Sequence, residues 1–568
     1  MRASALLRAY NDSPTESKEC VQMNGIDLIA QILKREGVEW IACYPSNPLI
    51  EAVAKLGIRP IAFRHERGAV MAADGFSRVS DRQRFGVVAV QNQAGAENAL
   101  GGIAQANADN VPILVLPGGV PLDRIAVRPN YSASSSYRDV VKRVEAIYTP
   151  DQVSDVMRRG FAALRNGAGG PVVIELTADV CAMDTPNRLD GYKSPALMRQ
   201  APEASVVEQA AKALLGAKRP VLWAGAGVLF ASASEELRQL AELTATPVFT
   251  TMPGKSAFDE RHPLSLGAGS GATTGQAHAW LQSCDVLLAI GSSLTRSSYA
   301  QSIRPAALLI QNTNNADEIG KDEAVDIGLL GDARLTLQAL IEAVRCELNG
   351  AVRDAGAVSA EIASVRAAWY AQWEPLLTST DTPLSTYRVI HEINNTLDHD
   401  NSIVTHDAGA PRDSIIPFYT ATTPHSYIGW GKTTHLGFGI PLMIGAKLAY
   451  PDRFCLNLMG DGAFGMSGMD FETSVRAQVP ITTVLLNNSG MATYPGGFPT
   501  ARKEFGLSNM YGDYAKIAEA MGGVGLRVRE PAQMAPALVQ AQQYNAEGQS
   551  VLIDVHSDME GRRSRWDR

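Results

Sequence analysis

Two polar turns, each closing an apolar strand, constrain this chain more than any other feature. The first ends Phe454-Cys-Leu-Asn-Leu-Met-Gly-Asp-Gly462, and the second ends Ile481-Thr-Thr-Val-Leu-Leu-Asn-Asn-Ser-Gly490. An apolar run of strand length breaks at Gly460-Asp461-Gly462. Between the turns, Met466, Met469 and Val475 interleave with Asp470, Glu472 and Arg476, the pattern of an amphipathic helix, and Pro480 closes the connection. Strand, glycine turn, helix and strand make one βαβ unit. Its crossover is expected to be right-handed, so both strands end on one edge of a parallel sheet, with Asp461 beside Asn488. A carboxylate, an amide oxygen and a backbone carbonyl freed near Gly490 are hard oxygen ligands. They suit Mg²⁺, which takes few protein ligands and fills its shell with phosphate oxygens and water. The glycines around Asp461 let the backbone approach a phosphate, and the helix that follows offers it unpaired N–H groups at Gly462 and Ala463. The residues alone thus predict a Mg²⁺-bridged diphosphate site.

At 568 residues the chain exceeds what one hydrophobic core supports, and three domains are expected. Hydrophobic residues at 45% and charged residues at 19% describe a soluble globular protein. A net charge of −8 and a pI near 5.7 argue against a nucleic-acid partner. No apolar run approaches the roughly 20 residues that span a bilayer, so no membrane partner is expected. The apolar segment within Met1-Arg-Ala-Ser-Ala-Leu-Leu-Arg-Ala9 is too short for a signal peptide and reads as a frayed leader to about Gln22. The six cysteines (Cys20, Cys43, Cys181, Cys284, Cys346 and Cys455) lack metal or disulfide spacing, which fits a reducing cytoplasm; none is a candidate nucleophile.

Residues 23–185 alternate helix-like and strand-like segments, as a doubly wound parallel sheet requires. Within them, Glu66 of Arg64-His-Glu-Arg67 ends a strand and opens a helix, on the edge where such sheets place ligands. On the residues alone it is, more simply, a first-turn glutamate that complements the helix dipole. His65 meets substrate or caps the helix. A linker is expected from about Asp184 to about Ala204, and residues 200–348 form a second α/β unit. There, Gly225-Ala-Gly227 lacks the full dinucleotide fingerprint and reads as a structural turn. A second linker is expected over 349–369, and residues 366–557 form the third unit. The fold expected is therefore α/β, with three doubly wound parallel-sheet domains. Beyond Gly490, the glycine-rich stretch Met491-Ala-Thr-Tyr-Pro-Gly-Gly-Phe498 suits a mobile lid. The basic end, Gly561-Arg-Arg-Ser-Arg-Trp566, either folds over the site or is a solvated tail, and the tail is the favoured reading.

Gly-Asp-Gly, about 25 residues and then Asn-Asn is the signature of the thiamine-diphosphate (ThDP) enzymes, and this chain resembles them over nearly its whole length. Among them it is most similar to the acetolactate synthase-like group, in the order pyrimidine, central and diphosphate domain. The resemblance implies that ThDP and Mg²⁺ are the cofactors and that Asp461, Asn488 and the Gly490 carbonyl are the metal ligands, with Gly462, Ala463 and Met491 flanking the cofactor. Glu66 takes the place of the glutamate that hydrogen-bonds N1′ of the aminopyrimidine, so that the neighbouring amino group can remove the thiazolium C2 proton. For that its pKa should lie above that of an exposed glutamate. In His406-Asp-Ala-Gly-Ala410, Gly409 and Ala410 touch the diphosphate. Asp407 would repel it, and so points away or toward substrate. In Tyr427-Ile-Gly-Trp-Gly-Lys-Thr-Thr-His-Leu436, Thr434 offers its carbonyl to the pyrimidine. Leu436 sits under the bend between the rings and forces the V-shaped conformer. His435 and His406 are the candidates for proton transfer.

Two departures limit the carry-over of substrate. Gln91-Asn-Gln-Ala-Gly-Ala-Glu-Asn98 places Gln93 and Glu97 where acetolactate synthases have small residues, and Ser132 stands where they have a glutamine. The resemblance also puts Glu66 and Asp461 of one site on different subunits, in a homodimer or homotetramer. Gly291-Ser-Ser-Leu-Thr295 lacks the charged pattern of FAD-carrying members, so FAD is not expected. The reading that results is a carboligase or decarboxylase acting on a 2-oxo acid. A 2-hydroxyacyl-CoA lyase or oxalyl-CoA decarboxylase relative is the alternative, in which Arg296, Arg304 or Lys321 would meet the phosphates of an acyl-CoA. An inactive ThDP-fold regulatory subunit is the third reading, and joint retention of Glu66, Asp461 and Asn488 speaks against it.

Overall fold

The computed structural model describes residues 23–80, 82–186, 188–304, 307–491, 498–559 and 561–566. The leader expected to Gln22, and positions 492–497 of the expected lid, lie outside the described residues. Among those described, no helix is long and apolar enough to cross a membrane.

Three six-stranded parallel sheets are stacked along the chain, each built from one continuous stretch. The first has β1 (Trp40–Cys43), β2 (Arg59–Ala62), β3 (Gly86–Val90), β4 (Ile113–Pro117), β5 (Arg143–Ala146) and β6 (Val172–Glu175), in the order β2-β1-β3-β4-β6-β5. The second has β7 (Pro220–Ala224), β8 (Val248–Thr251), β9 (Ser265–Gly269), β10 (Val286–Ile290), β11 (Leu308–Thr313) and β12 (Ile327–Leu330), in the order β12-β11-β10-β7-β8-β9. The third has β13 (Ser402–His406), β14 (Tyr427–Ile428), β15 (Phe454–Gly460), β16 (Thr482–Asn487), β17 (Val524–Val528) and β18 (Val551–His556), in the order β14-β13-β15-β16-β18-β17. Helices cover both faces, so the inner strands are buried over most of their length, as the continuous apolar run Val87-Val-Ala-Val90 requires.

The helices that matter for the site are α1 (Glu66–Arg78), α2 (Ala94–Ala108), α3 (Gly356–Leu377), α4 (Ala410–Ile415), α5 (Gly439–Ala449), α6 (Asp461–Ser467) and α7 (Asp470–Arg476). The amphipathic run after Asp461 is thus two short helices, and at their junction the polarity departs from the expected one. Met466 and Met469 are exposed, whereas Asp470 is 2% exposed. The cause is a contact from another domain. The Asp470 Oδ1 accepts the backbone N–H of Arg64 at 2.9 Å and the Thr473 hydroxyl at 3.1 Å.

That bond is part of a close join between the first and third domains. Helix α1 lies on α5 with two glycines at the crossing. A Cβ on Gly75 would collide with the carbonyl of Leu442, and one on Gly445 with the carbonyl of Ala72. The Glu66 helix thus packs on the third domain of its own chain.

Two further expectations are corrected. The linker expected over 349–369 is largely the 22-residue helix α3. Its apolar residues serve two cores in turn: Ile362 joins the central one, while Trp369, Trp373 and Leu377 join that of the third domain. No single face is apolar along its length, which hides the helix from a periodicity reading. The C-terminal segment 561–566 is not a solvated tail. Ser564 donates to the Thr273 carbonyl at 2.6 Å, the Trp566 ring stacks on His278 at 4.3 Å, and Arg565 pairs with Asp413.

Candidate functional site

The carboxyl edge of the third sheet gathers the residues singled out above. Strands β15 and β16 pair in register from Leu456↔Thr482 to Gly460↔Leu486, so the turns after them are adjacent. Asp461 is 3% exposed; its Oδ1 accepts the Gly462 N–H at 2.8 Å and its Oδ2 the Gly490 N–H at 3.2 Å. The Asn488 Oδ1 accepts the same Gly490 N–H at 3.1 Å. Two side chains far apart in sequence therefore converge on one backbone amide. Ser489, at φ 55°, supplies the left-handed residue that turns the chain back. Burial raises the Asp461 pKa above the usual carboxylate value, against the pull of the N–H groups it accepts. Asn487, the other member of the pair, is occupied with structure, its Nδ2 donating to Asp554 at 2.9 Å.

The next strand on the same edge, β13, ends in the 407–410 loop. Gly409 has φ 89° and ψ −138°, a conformation closed to other L-residues, and it precedes α4. Gly409 and Ala410 are half-buried on the sheet edge that also carries Asp461. The loop before α5 carries Thr434 in the left-handed region (φ 53°), with His435 and Leu436 half-buried. Asp109 and Gln105 of the first domain hold this loop from behind. Asp109 accepts the Gly431 N–H at 3.2 Å and the Arg78 guanidinium at 2.8 Å, while the Gln105 carbonyl oxygen accepts the Thr433 hydroxyl at 2.8 Å.

Glu66 is 4% exposed at the start of α1, and its Oε2 accepts the Asn98 Nδ2–H at 3.1 Å. The next residue, Arg67, donates to the Met466 carbonyl at the end of α6, at 2.7 Å. His435 lies against Gly101 of α2, and burial with the nearby Arg67 charge lowers its pKa. The start of α1 is thereby tied to the end of α6, and His435 to α2, beside the helix that carries Glu66. Asn98 was not singled out from the sequence; its place four residues into α2, facing α1, is visible only once the two helices are packed.

His406 stands apart from these. It is fully buried, with its ring stacked on Trp430 at 5.2 Å and on Tyr427 at 6.1 Å, and no described residue hydrogen-bonds its Nε2. Burial pushes its pKa down to about 3, against about 6.5 for a free imidazole. The unfolded chain therefore takes up the proton first. Stability from this group is intact above about pH 6.5 and is lost as pH falls toward 3, by about 2 kcal/mol at pH 5. His406→Phe should flatten that part of the pH profile in denaturant unfolding, and an unchanged slope between pH 7 and pH 5 would contradict this.

The central domain contains a cavity of about 790 Å³ at the carboxyl edge of its sheet, bordered by Gly225, Ser292, Asn312 and Lys432. The Gly225-Ala-Gly227 turn packs backbone to backbone on Gly291, with the Gly227 N–H donating to the Gly291 carbonyl at 2.9 Å. Arg296 pairs with Glu323 at 2.7 Å, Lys321 donates to Thr295 at 2.8 Å, and Arg304 donates to the Cys284 carbonyl at 3.1 Å.

Three family models match in succession. They are the N-terminal TPP binding domain of thiamine pyrophosphate enzymes over residues 23–140, the central domain over 207–340, and the C-terminal TPP binding domain over 407–555. The chain belongs to the thiamine pyrophosphate enzymes. It is 29% identical over 548 residues to a "Probable acetolactate synthase large subunit" of Methanococcus aeolicus, covering 91% of this chain and 90% of the relative. It is 28% identical to acetolactate synthase large subunit IlvB1 of Mycobacterium tuberculosis, covering 92% and 87%. It is also 26% identical to acetolactate synthase isozyme 3 large subunit of Escherichia coli, covering 94% and 95%.

As a thiamine pyrophosphate enzyme, the chain has a donor set that fits the group. A buried carboxylate and an amide oxygen lie on one backbone amide, and no cluster of three or more His, Cys, Asp or Glu is found among the described residues to compete for a metal. A glycine of positive φ heads the neighbouring loop, where a backbone can approach a phosphate.

Proposed function

We propose that this thiamine pyrophosphate enzyme uses Mg²⁺ and ThDP to make or break a C–C bond next to the carbonyl of a 2-oxo acid, as the names of its acetolactate synthase relatives suggest. The convergence of Asp461 and Asn488 on the Gly490 amide carries this reading. Bound ThDP supplies a nucleophilic carbon and an electron sink for the bond that breaks.

The chain's own residues have separate tasks. Asp461, Asn488 and the Gly490 carbonyl would hold Mg²⁺, and Gly409, Ala410, Gly462, Ala463 and Met491 would hold the diphosphate. Leu436, in the loop held by Asp109 and Gln105, would lie against the cofactor, and Thr434 would offer its carbonyl to the pyrimidine ring. Glu66, buried beside Asn98, would hydrogen-bond the pyrimidine nitrogen. His435, uncharged at neutral pH through burial and Arg67, accepts a proton from substrate or returns it.

The homo-oligomer implied by the resemblance remains part of the proposal, and mixing two inactive variants tests it. If each site lies within one chain, Glu66→Gln and Asp461→Ala subunits stay inactive together. Recovered activity would place the site between subunits.

The test of the function is turnover by the Mg²⁺-ThDP holoenzyme on a panel of 2-oxo acids and 2-hydroxyacyl-CoAs, following CO₂ and the ligated or aldehyde product. CO₂ release from a 2-oxo acid such as pyruvate is expected. Saturation by CoA thioesters alone would move the assignment to the acyl-CoA reading.

A further inference from the structure

Asp407, expected to turn away from a diphosphate or toward substrate, directs its carboxylate at the backbone of its own and a neighbouring loop. It is fully buried, and its hydrogen bonds come from backbone N–H groups of two separate loops. Its Oδ1 accepts from Ala408 at 2.7 Å and from Gly437 at 3.0 Å, and its Oδ2 accepts from Gly439 at 2.9 Å. Its own N–H donates to the Leu458 carbonyl at 2.7 Å, which anchors it to β15, the strand that leads to Asp461. Among the described residues it has no ion-pair partner. Burial pushes its pKa up to about 6, against the three N–H donors that pull it down. An unpaired buried carboxylate is costly, and its cost here is offset by the bonds it makes to backbone.

Those bonds join two places that do different work in the proposed site. One is the 407–410 loop assigned to the diphosphate; the other is the turn after Leu436 that leads into α5 and faces the aminopyrimidine. Gly437, at φ 81°, and Gly439, whose Cβ would collide with Asn457, bring their N–H groups close enough to be accepted by one carboxylate. Only an acceptor-only group with two oxygens satisfies all three donors; an amide would set its NH₂ against at least one N–H.

We propose that Asp407 is the positioning residue that fixes the spacing between the diphosphate loop and the aminopyrimidine loop before the cofactor arrives. A cofactor that spans both loops then binds without having to order one against the other. This rests on the ThDP reading above. Its specific consequence is that Asp407 matters to a ligand that engages both loops and not to one that engages the diphosphate loop alone.

The test is isothermal titration of the full-length apo chain, wild type and Asp407→Asn, with Mg²⁺-ThDP and separately with Mg²⁺ and inorganic pyrophosphate. The variant should bind ThDP roughly 10- to 100-fold more weakly, the range expected for one lost hydrogen bond to a buried charge. It should bind pyrophosphate as the wild type does. Unchanged ThDP affinity overturns the inference. Equal weakening of both ligands also overturns it, since that is what general collapse of the diphosphate loop would produce. If Asp407→Asn does not give the wild-type circular dichroism spectrum, Asp407→Ser is read in the same way, and failure of both to fold makes the residue structural and overturns the proposal. A wild-type chain that binds no ThDP would instead refute the underlying function.

Discussion

Asp461→Ala will leave a folded protein that no longer retains ThDP. The carboxylate is the only charged group in the proposed metal set, and Mg²⁺ has few other protein ligands to fall back on. Its loss also strips acceptors from the Gly462 and Gly490 N–H groups, which hold the turn in the shape that presents the Gly490 carbonyl. Removing a buried charged ligand from a site built around one divalent ion is expected to weaken cofactor binding by about three orders of magnitude or more, equivalent to about 4 kcal/mol. The strands on either side have buried interiors and pair with further strands, so unfolding temperature should change far less than affinity. Calorimetric titration with Mg²⁺ and ThDP checks the affinity, and scanning calorimetry of the same variant checks the unfolding temperature. Wild-type affinity in the variant would show that the two turns are merely a sheet edge.

Glu66→Gln is expected to fail at a different stage. The glutamine has the same size and can still meet Asn98, so the cofactor should bind with nearly wild-type affinity. It cannot exchange a proton with the pyrimidine ring as a carboxyl group does, and the loss in turnover should be about 10²- to 10⁴-fold, the range for removal of a positioned acid–base group. The pair of variants therefore separates holding from activation: one loses the cofactor, and the other keeps it and stops. A Glu66→Gln enzyme with more than about a tenth of the wild-type rate would revive the plain helix-dipole reading of this residue.

The features legible in the sequence share a physical origin. The Asp461 and Asn488 turns were found because each follows a short apolar strand and parallel strands deliver their carboxyl ends to one edge. The three-sheet α/β fold followed from strand and helix alternation for the same reason. What escaped depended on contacts between distant segments. Asp470 reads as the polar face of a helix until the Arg64 N–H arrives from the first domain. The helix Gly356–Leu377 divides its apolar residues between two cores and so shows no stripe. His406 has the residue type of a proton carrier, yet its position at the end of a buried strand, between Trp430 and Tyr427, makes it part of an aromatic stack. Asp407 looked repulsive beside a diphosphate because the donors that absorb its charge lie some thirty residues further along the chain. The C-terminal segment had composition enough to suggest a tail, and its docking on Thr273, His278 and Asp413 has no local signal.

The central claim is that Glu66 activates a cofactor held by Asp461 and Asn488, and the exchange of the bound cofactor's C2 proton with solvent measures it most directly. Quenched-flow exchange into D₂O, read by proton NMR of the recovered ThDP, needs no substrate and is independent of which reaction the enzyme performs. Exchange much faster than in free ThDP is predicted for the wild type, with a slowing of about 10²-fold or more in Glu66→Gln at undiminished ThDP occupancy. Equal exchange rates for the wild-type protein, the variant and free cofactor would contradict the account.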